Sequence, residues 1–121
     1  MKIFISLPIS NRPYRLVCAD IDRATKTLKE MFGEDITIVH NVDCEELPGA
    51  GRLYYLGEAI KKMDGVNLVY FVDGWADAVG CKVEQFVALT YHIRCFYENS
   101  EEKLMLAKIS STNKGTYCNH T

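Results

Sequence analysis

The 121-residue chain lacks several features that mark specialised classes of protein. Its five cysteines are scattered and odd in number, with no C-x-x-C pair, which disfavours a disulfide framework and a zinc site. Free thiols are typical of a reducing compartment, so we expect a cytoplasmic protein. No hydrophobic run is long enough to span a membrane, and the apolar stretch at the start is too short for a secretory signal.

The chain also lacks an excess of charge of either sign. Fourteen basic and sixteen acidic residues leave a net charge of −2. A protein that binds duplex nucleic acid normally presents a basic face, so we expect no duplex partner. There is no P-loop and no G-x-G-x-x-G fingerprint, and the three histidines show no spacing that would suit metal ligands. We therefore expect neither a cofactor nor a metal ion.

The most informative stretch covers residues 66–89. It opens with an apolar run rich in β-branched and aromatic residues, which predicts a strand buried on both faces at 66–72. A turn-rich segment follows, and after Gly80 apolar residues recur at spacings of three and four. That recurrence predicts a helix with one buried face, made of Val79, Val83, Phe86, Val87 and Thr90.

Strands and helices alternate along the rest of the chain. Further strands are predicted at 2–7, 36–39 and 93–97, and further helices at about 13–32 and 52–63, the first capped by Ser10 or Asn11. The pattern predicts an α/β fold, Rossmann-like with a flavodoxin-like order 2-1-3-4. Its mostly parallel sheet has four to five strands and helices on both faces. We predict a single domain over 1–109, closed by a short helix at 101–109, and a polar C-terminal tail at 110–121.

Candidate binding residues follow the first predicted strand. Ligands of open α/β sheets lie beyond the carboxyl ends of the strands, at the switch point between strands 1 and 3. A helix N-terminus there attracts anions, and arginine adds charge-assisted hydrogen bonds to a phosphate. The alternative is a capped helix with solvated arginines. The polar residues concerned are Ser6, Ser10, Asn11, Arg12 and Arg15.

Acidic and aromatic residues provide further candidates. Glu84 falls early in the third helix and is the best candidate for a nucleophile or base, unless it only complements the helix dipole. Glu58, in the second helix, is either a second acid of the site or a surface residue. Asp73, Gly74 and Asp77 lie in the turn-rich segment, where the two acids belong to a turn first and to a ligand site second. Trp75 either stacks on a base or covers the helix–sheet junction.

Three segments resemble the nucleoside 2-deoxyribosyltransferase-like superfamily, and above all its small branch of bacterial and phage domains. The segments are KIFISLPIS, YYLGEAI and LVYFVDGWADAVGCKVEQFVAL. In that branch the opening looks like K-I-Y-I-S-G-P-I and the centre like P-G-W-x-x-S-x-G-A-x-x-E. The likeness covers roughly residues 1–97 and implies that the domain is nucleoside 2-deoxyribosyltransferase-like.

The resemblance implies cleavage or transfer at the N-glycosidic bond of a small nucleoside or nucleotide. By position, Glu84 matches the glutamate that attacks the anomeric carbon. Glu58 matches an acid, usually Asp, that holds the sugar and assists the leaving base. Phe4 stands where many members have a tyrosine that orients the nucleophile. Leu7 replaces a Gly, and Ala78 replaces a Ser or Asp.

The resemblance also implies a homodimer or a higher homo-oligomer, whose active sites are completed by a neighbouring subunit. The aromatic residues that flank the helices, Tyr54, Tyr55 and Tyr91, also favour an oligomer, because they could extend an apolar helix face into a dimer contact. The alternative function is a binder of the same fold without catalysis, such as a phage protein that sequesters a signalling nucleotide. A cyclic nucleotide or an ADP-ribose derivative is an example of such a ligand. Trp75, Asp73 and the loop at 10–15 would suffice for binding.

Overall fold

The computed structural model describes residues 1–42 and 47–99. Within them, four strands form one all-parallel sheet in the order β2-β1-β3-β4, which confirms the predicted α/β fold and strand order. No helix in these ranges combines the length and hydrophobicity needed to cross a membrane. The predicted helix at 101–109 and tail at 110–121 lie outside the described residues. The elements are β1 (Lys2–Ser6), α1 (Tyr14–Phe32), β2 (Thr37–Val39), α2 (Arg52–Met63), β3 (Leu68–Phe71), a 3-10 turn (Trp75–Asp77), α3 (Val79–Thr90) and β4 (Arg94–Tyr97).

The sheet separates two apolar layers because side chains of a strand alternate between its faces. Ile3 and Ile5 of β1 pack with Leu28 of α1 on one face. Phe4, between them, packs on the other face with Ala88 of α3 and with residues of α2. All four residues of β3 are buried, as expected for a strand covered on both sides. Helices therefore cover both faces of the sheet, as predicted.

The first helix buries one apolar stripe but is not capped as predicted. Val17, Ala24 and Leu28 are buried at helical spacing. Pro13, rather than Ser10 or Asn11, occupies the N-cap position, and no side chain caps the helix. The capping prediction is wrong because the loop turns tightly before Pro13, with Arg12 N–H donating to the Ile9 carbonyl at 3.3 Å.

The third helix turns a different face to the sheet than its apolar spacing predicts. Its buried residues are Cys81, Glu84 and Ala88. Val79 and Phe86, predicted to be buried, are 69% and 70% exposed. The stripe that carries Glu84 faces the sheet, so Val79 and Phe86 face outward. The prediction was therefore wrong at Val79 and Phe86, whereas Val87 is partly buried against the core, as predicted.

The second helix also leaves an apolar residue on its outer side. Ala59 and Met63 are buried, whereas Leu53 is 81% exposed. The predicted helix boundaries, 52–63, are confirmed. Both helices on this side of the sheet thus carry exposed apolar residues.

Candidate functional site

The candidate site lies where the two central strands end. Ser6, the last residue of β1, is paired in register with Phe71 of β3. The Val72 N–H donates to the Ser6 carbonyl at 2.9 Å, so the two strand ends are held side by side. The chain leaves β1 towards the β2 side and β3 towards the β4 side, which makes this point the topological switch of the sheet.

A buried hydrogen bond joins Ser6 to Glu84 at this point. The alternation along β1 places Ser6 on the same face as Phe4, beneath α3. Its hydroxyl Oγ donates to Glu84 Oε1 at 2.5 Å. Both residues are buried, with 1% and 8% of their surface exposed. Ser6, expected from sequence to bind a ligand directly, instead contacts the predicted nucleophile.

Burial sets the ionisation of this site. Loss of hydration raises the pKa of Glu84 to about 7, and the Ser6 hydrogen bond partly opposes this rise. Cys81, one turn earlier on α3, is also buried and has its pKa raised to about 11, again with Ser6 as an opposing hydrogen-bond partner. The thiol therefore stays protonated at neutral pH, where the Glu84 carboxyl is close to half ionised.

The two carboxyl oxygens of Glu84 are not equivalent. Oε1 accepts the Ser6 hydrogen bond. Oε2 has no hydrogen-bond partner among the described residues and is not among their fully enclosed atoms. Oε2 is therefore the Glu84 oxygen that remains available for a further hydrogen bond.

The loop after β3 is held against the loop after β1. Gly74 has a φ of 93°, in the left-handed region that favours glycine. A Cβ at this position would lie 3.3 Å from Pro8 Cγ. The positive φ and the short distance to Pro8 therefore both favour glycine at residue 74. Its predicted place in a turn is confirmed.

We expect Gly74→Ala to lower the free energy of unfolding by about 1–2 kcal/mol, because alanine must adopt a left-handed conformation and press on Pro8. Gly80→Ala is the matched control, since residue 80 lies in α3 and a Cβ added there would meet no atom within 4 Å. That control should be neutral or slightly stabilising. Urea denaturation of both variants measures the difference, and equal stabilities would contradict the account.

Trp75 belongs to a cluster of aromatic rings on the α3 side of the sheet. Its ring centroid lies 5.3 Å from that of Phe71 and 5.1 Å from that of Tyr97. Phe71 and Tyr97 stack at 5.2 Å, and Gln85 Nε2 donates to the Tyr97 hydroxyl at 2.9 Å. Of the two roles considered for Trp75, this packing favours cover of the helix–sheet junction over stacking on a base.

Arg12 is engaged inside the protein. Its guanidinium donates to the Pro8 carbonyl at 2.8 Å and pairs with Asp20 at the same distance. Much of the charge expected to meet a phosphate is thus already balanced. Ser10 and Asn11 are exposed in the same loop, and Phe4 is fully buried in the core without a contact surface for a ligand.

A chain of charged groups leads from Asp20 on α1 to the loop after β3. Asp20 also pairs with Arg23 at 2.8 Å, and Arg23 holds the buried Glu98 carboxylate through two hydrogen bonds of 2.8 and 3.0 Å. Glu98 raises the pKa of Arg23. The same carboxylate accepts the Asp73 N–H at 3.0 Å. This chain fixes the loop that contains Asp73, and no local sequence pattern predicts it.

Glu58 is half-buried on α2 and pairs with Lys61 at 3.0 Å, one turn further along the helix. This pairing suits a surface ion pair as readily as a site residue. The structure places Glu58 on the same side of the sheet as Glu84 and gives it no hydrogen bond to that carboxyl. Its role in a reaction stays a prediction.

An open depression of about 390 Å³ lies on α1, across the sheet from Glu84. Charged side chains of both signs line it, whereas small-molecule sites are lined mostly by hydrophobic and aromatic side chains. The lining residues are Asp22, Thr25, Lys26, Lys29, Glu30 and Glu34.

Comparison with known proteins finds no matching family model, no matching curated protein and no matching solved structure.

Proposed function

We propose that the protein binds a nucleoside or nucleotide at the carboxyl edge of β1 and β3 and cleaves or transfers its N-glycosidic bond. The observation that supports this proposal is the buried Glu84 carboxyl at the switch point of the sheet, with one oxygen held by Ser6 and the other without a hydrogen bond from the described residues. Ligands of open α/β sheets bind at such points. A buried carboxyl with a raised pKa is also typical of functional sites.

The proposed chemistry needs one carboxylate as nucleophile and one molecule, water or another base, that accepts the glycosyl group. In the first step Glu84 Oε2 attacks the anomeric carbon, a glycosyl ester forms, and the bond to the base nitrogen breaks with its electron pair. The departing base takes a proton from Glu58 or from a water molecule. In the second step water or the N–H of another base attacks the same carbon and gives its proton back to that group, and the ester bond breaks to return the Glu84 carboxylate.

Specific observations favour a second candidate, a binder that performs no chemistry. Phe4 has no hydroxyl, Ala78 has no polar group, and the Glu58 carboxylate is paired with Lys61. A site with fewer oriented polar groups stabilises a charged transition state less well. Binding alone requires only a crevice with a few polar contacts. Sequestration of an intact signalling nucleotide is the function that such a protein would have.

Incubation with a panel of nucleosides and their 5′-monophosphates, followed by chromatography of protein and ligand, tests the two candidates. Free base in the wild-type reaction supports glycosidic cleavage. Recovery of the intact ligand from denatured protein supports sequestration. A panel without binding and without release would contradict both.

We also propose that the protein is a homodimer or a higher homo-oligomer that associates through the outward apolar stripe of α3. Val79 and Phe86 lie on this stripe, with 69% and 70% of their surface exposed. Tyr91, just beyond the helix, is 73% exposed, and Leu53 on the neighbouring α2 is 81% exposed. Exposed apolar residues on neighbouring elements are typical of surfaces that bind another protein. Their arrangement supports self-association more directly than the aromatic pair at 54–55.

We expect Phe86→Glu to weaken self-association by roughly tenfold or more, because a charge would replace a large apolar side chain at the centre of the stripe. Multi-angle light scattering over a concentration series measures the change. Tyr14→Glu is the matched control, since Tyr14 is an aromatic residue 64% exposed on α1, across the sheet. A wild-type protein that stays monomeric at high micromolar concentration would contradict the proposal.

A further inference from the structure

We infer that Ser6 is the positioning residue of Glu84, holding Oε1 so that Oε2 faces the anomeric carbon of the ligand. The inference rests on the proposed function, and it assigns the two carboxyl oxygens separate tasks. Ser6 would act through Glu84 and make no contact with the reacting atoms.

The hydrogen bond has the geometry of a strong, directed contact. A serine hydroxyl carries one proton, and here it is donated to a carboxyl oxygen at 2.5 Å, the short end of the range for a charge-assisted bond. Such a bond favours the ionised form of the acid, which is the nucleophilic form. It also restricts rotation of the carboxyl group, since one of its two oxygens is held.

The donor sits on a rigid part of the fold. Ser6 ends a central strand that pairs on both sides, and its carbonyl accepts the Val72 N–H. Its side chain is 1% exposed. A group built on a strand inside the sheet holds its partner more accurately than one on a loop. The position of Oε1 is therefore fixed relative to the sheet and to the crevice above it.

The alternation of β1 explains why Ser6 can take this task. Phe4 lies two residues earlier on the same face, at the position where the resemblance implies an orienting tyrosine hydroxyl. Phe4 has no hydroxyl and is buried in the core. Ser6 provides a hydroxyl on the same face, two residues nearer to the carboxyl end of the strand.

The surroundings of Glu84 leave Ser6 as the group that opposes its rise in pKa. From β1 the carboxyl meets Ser6, and from its own helix it lies near Cys81, whose thiol is neutral below about pH 11. No charged side chain among the described residues contributes to the shift, including Glu58 and Lys62 on the adjacent α2. The thiol can donate to Ser6 Oγ, which leaves the hydroxyl proton for Glu84.

The test compares Ser6→Ala with wild type in two independent measurements. Titration of the Glu84 carboxyl by carbon-13 NMR needs no substrate, and we expect Ser6→Ala to raise that pKa by roughly one unit. In nucleoside cleavage at pH 7 we expect kcat to fall roughly 10- to 100-fold while KM changes less than about threefold. The acid limb of the pH profile should move upward by the same amount as the NMR titration.

Two further variants complete the experiment. Cys81→Ala is the matched control, because it removes the other partner of Ser6 and should leave the pKa of Glu84 within a few tenths of a unit. Ser6→Thr restores a hydroxyl and should recover most of the loss. If Ser6→Ala does not fold, Ser6→Cys, of similar size and with a weak donor, takes its place.

The outcomes separate this inference from the proposed function. An unchanged Glu84 pKa together with an unchanged kcat in Ser6→Ala would overturn the positioning role. A raised pKa in the variant, with no base released by wild type, would retain the Ser6 contact and overturn the glycosidic reaction. If wild type cleaves the nucleoside and Ser6→Ala raises KM without lowering kcat, the positioning role is overturned and the reaction is retained.

Discussion

Glu84→Gln is expected to abolish release of free base, with a loss of roughly 10⁴-fold or more, and to leave ligand affinity within about threefold. The amide has the size and shape of the carboxyl group and can still accept the Ser6 hydrogen bond through its oxygen. It cannot form the glycosyl ester, because an amide is a far weaker nucleophile than a carboxylate. Chromatography of the reaction measures base release, and calorimetry measures binding.

Asp77→Asn is the matched control for this variant. Asp77 is an exposed acid in the 3-10 turn that precedes α3, and its neutralisation should leave turnover within about twofold. Full activity of Glu84→Gln would contradict the role of Glu84 as nucleophile. If wild type binds a nucleotide tightly and returns it intact after prolonged incubation, the glycosidic reaction is wrong and sequestration is the better account.

The covalent step has its own signature. Wild-type protein mixed with a slow substrate should gain the mass of one glycosyl group, and Glu84→Gln should not. Protease digestion would then locate the added mass on the peptide that contains α3. This measurement separates a nucleophilic carboxylate from one that only activates water.

The strand order followed from the sequence because each element carries its signal locally. The residues of β3 form a continuous apolar run, and a run buried on both faces belongs in the middle of a parallel sheet. Alternation with helices and right-handed crossovers then leave few topologies open. The order 2-1-3-4 was predicted on these grounds and is confirmed.

The buried face of α3 could not be predicted from the sequence, because the helix carries two stripes of residues at helical spacing. Val79 and Phe86 form the more hydrophobic stripe, and the spacing alone assigns it to the core. The structure buries Cys81 and Ala88 with Glu84 between them. An acid on the buried stripe lowers its hydrophobicity, so a rule based on hydrophobicity selects the wrong face wherever a site is built into a helix.

The contacts of the site could not be predicted, for a different reason. Glu84 could be singled out by its place after the third strand and by resemblance, since both are local. The Ser6–Glu84 bond joins residues 78 positions apart, and the Arg23–Glu98 pair joins residues 75 positions apart. Such contacts depend on the register of the sheet and the tilt of its helices, neither of which any spacing along the chain records.

The buried carboxyl of Glu84 also predicts how stability depends on pH. In the folded protein its pKa is raised to about 7 by burial, whereas the unfolded chain has the ordinary value of 4.5. Between these values the folded state binds more protons than the unfolded state, so stability falls as pH rises from about 4.5 to 7. Below about pH 4.5 both states hold the proton, so ionisation of Glu84 no longer lowers the stability of the folded state.

Glu84→Gln removes this titration and should therefore be more stable than wild type at pH 8, by about 3 kcal/mol, and about equal to it at pH 4. Urea denaturation at several pH values measures the difference. Glu58→Gln is the control for loss of a carboxyl group, because that carboxylate lies in a partly exposed pair with Lys61, and such pairs contribute little to stability. A difference between Glu84→Gln and wild type that is constant with pH would contradict the raised pKa. A difference that grows with pH would mean that the fold keeps an ionised carboxylate buried at the switch point at a cost in stability, which is what a nucleophile in that position requires.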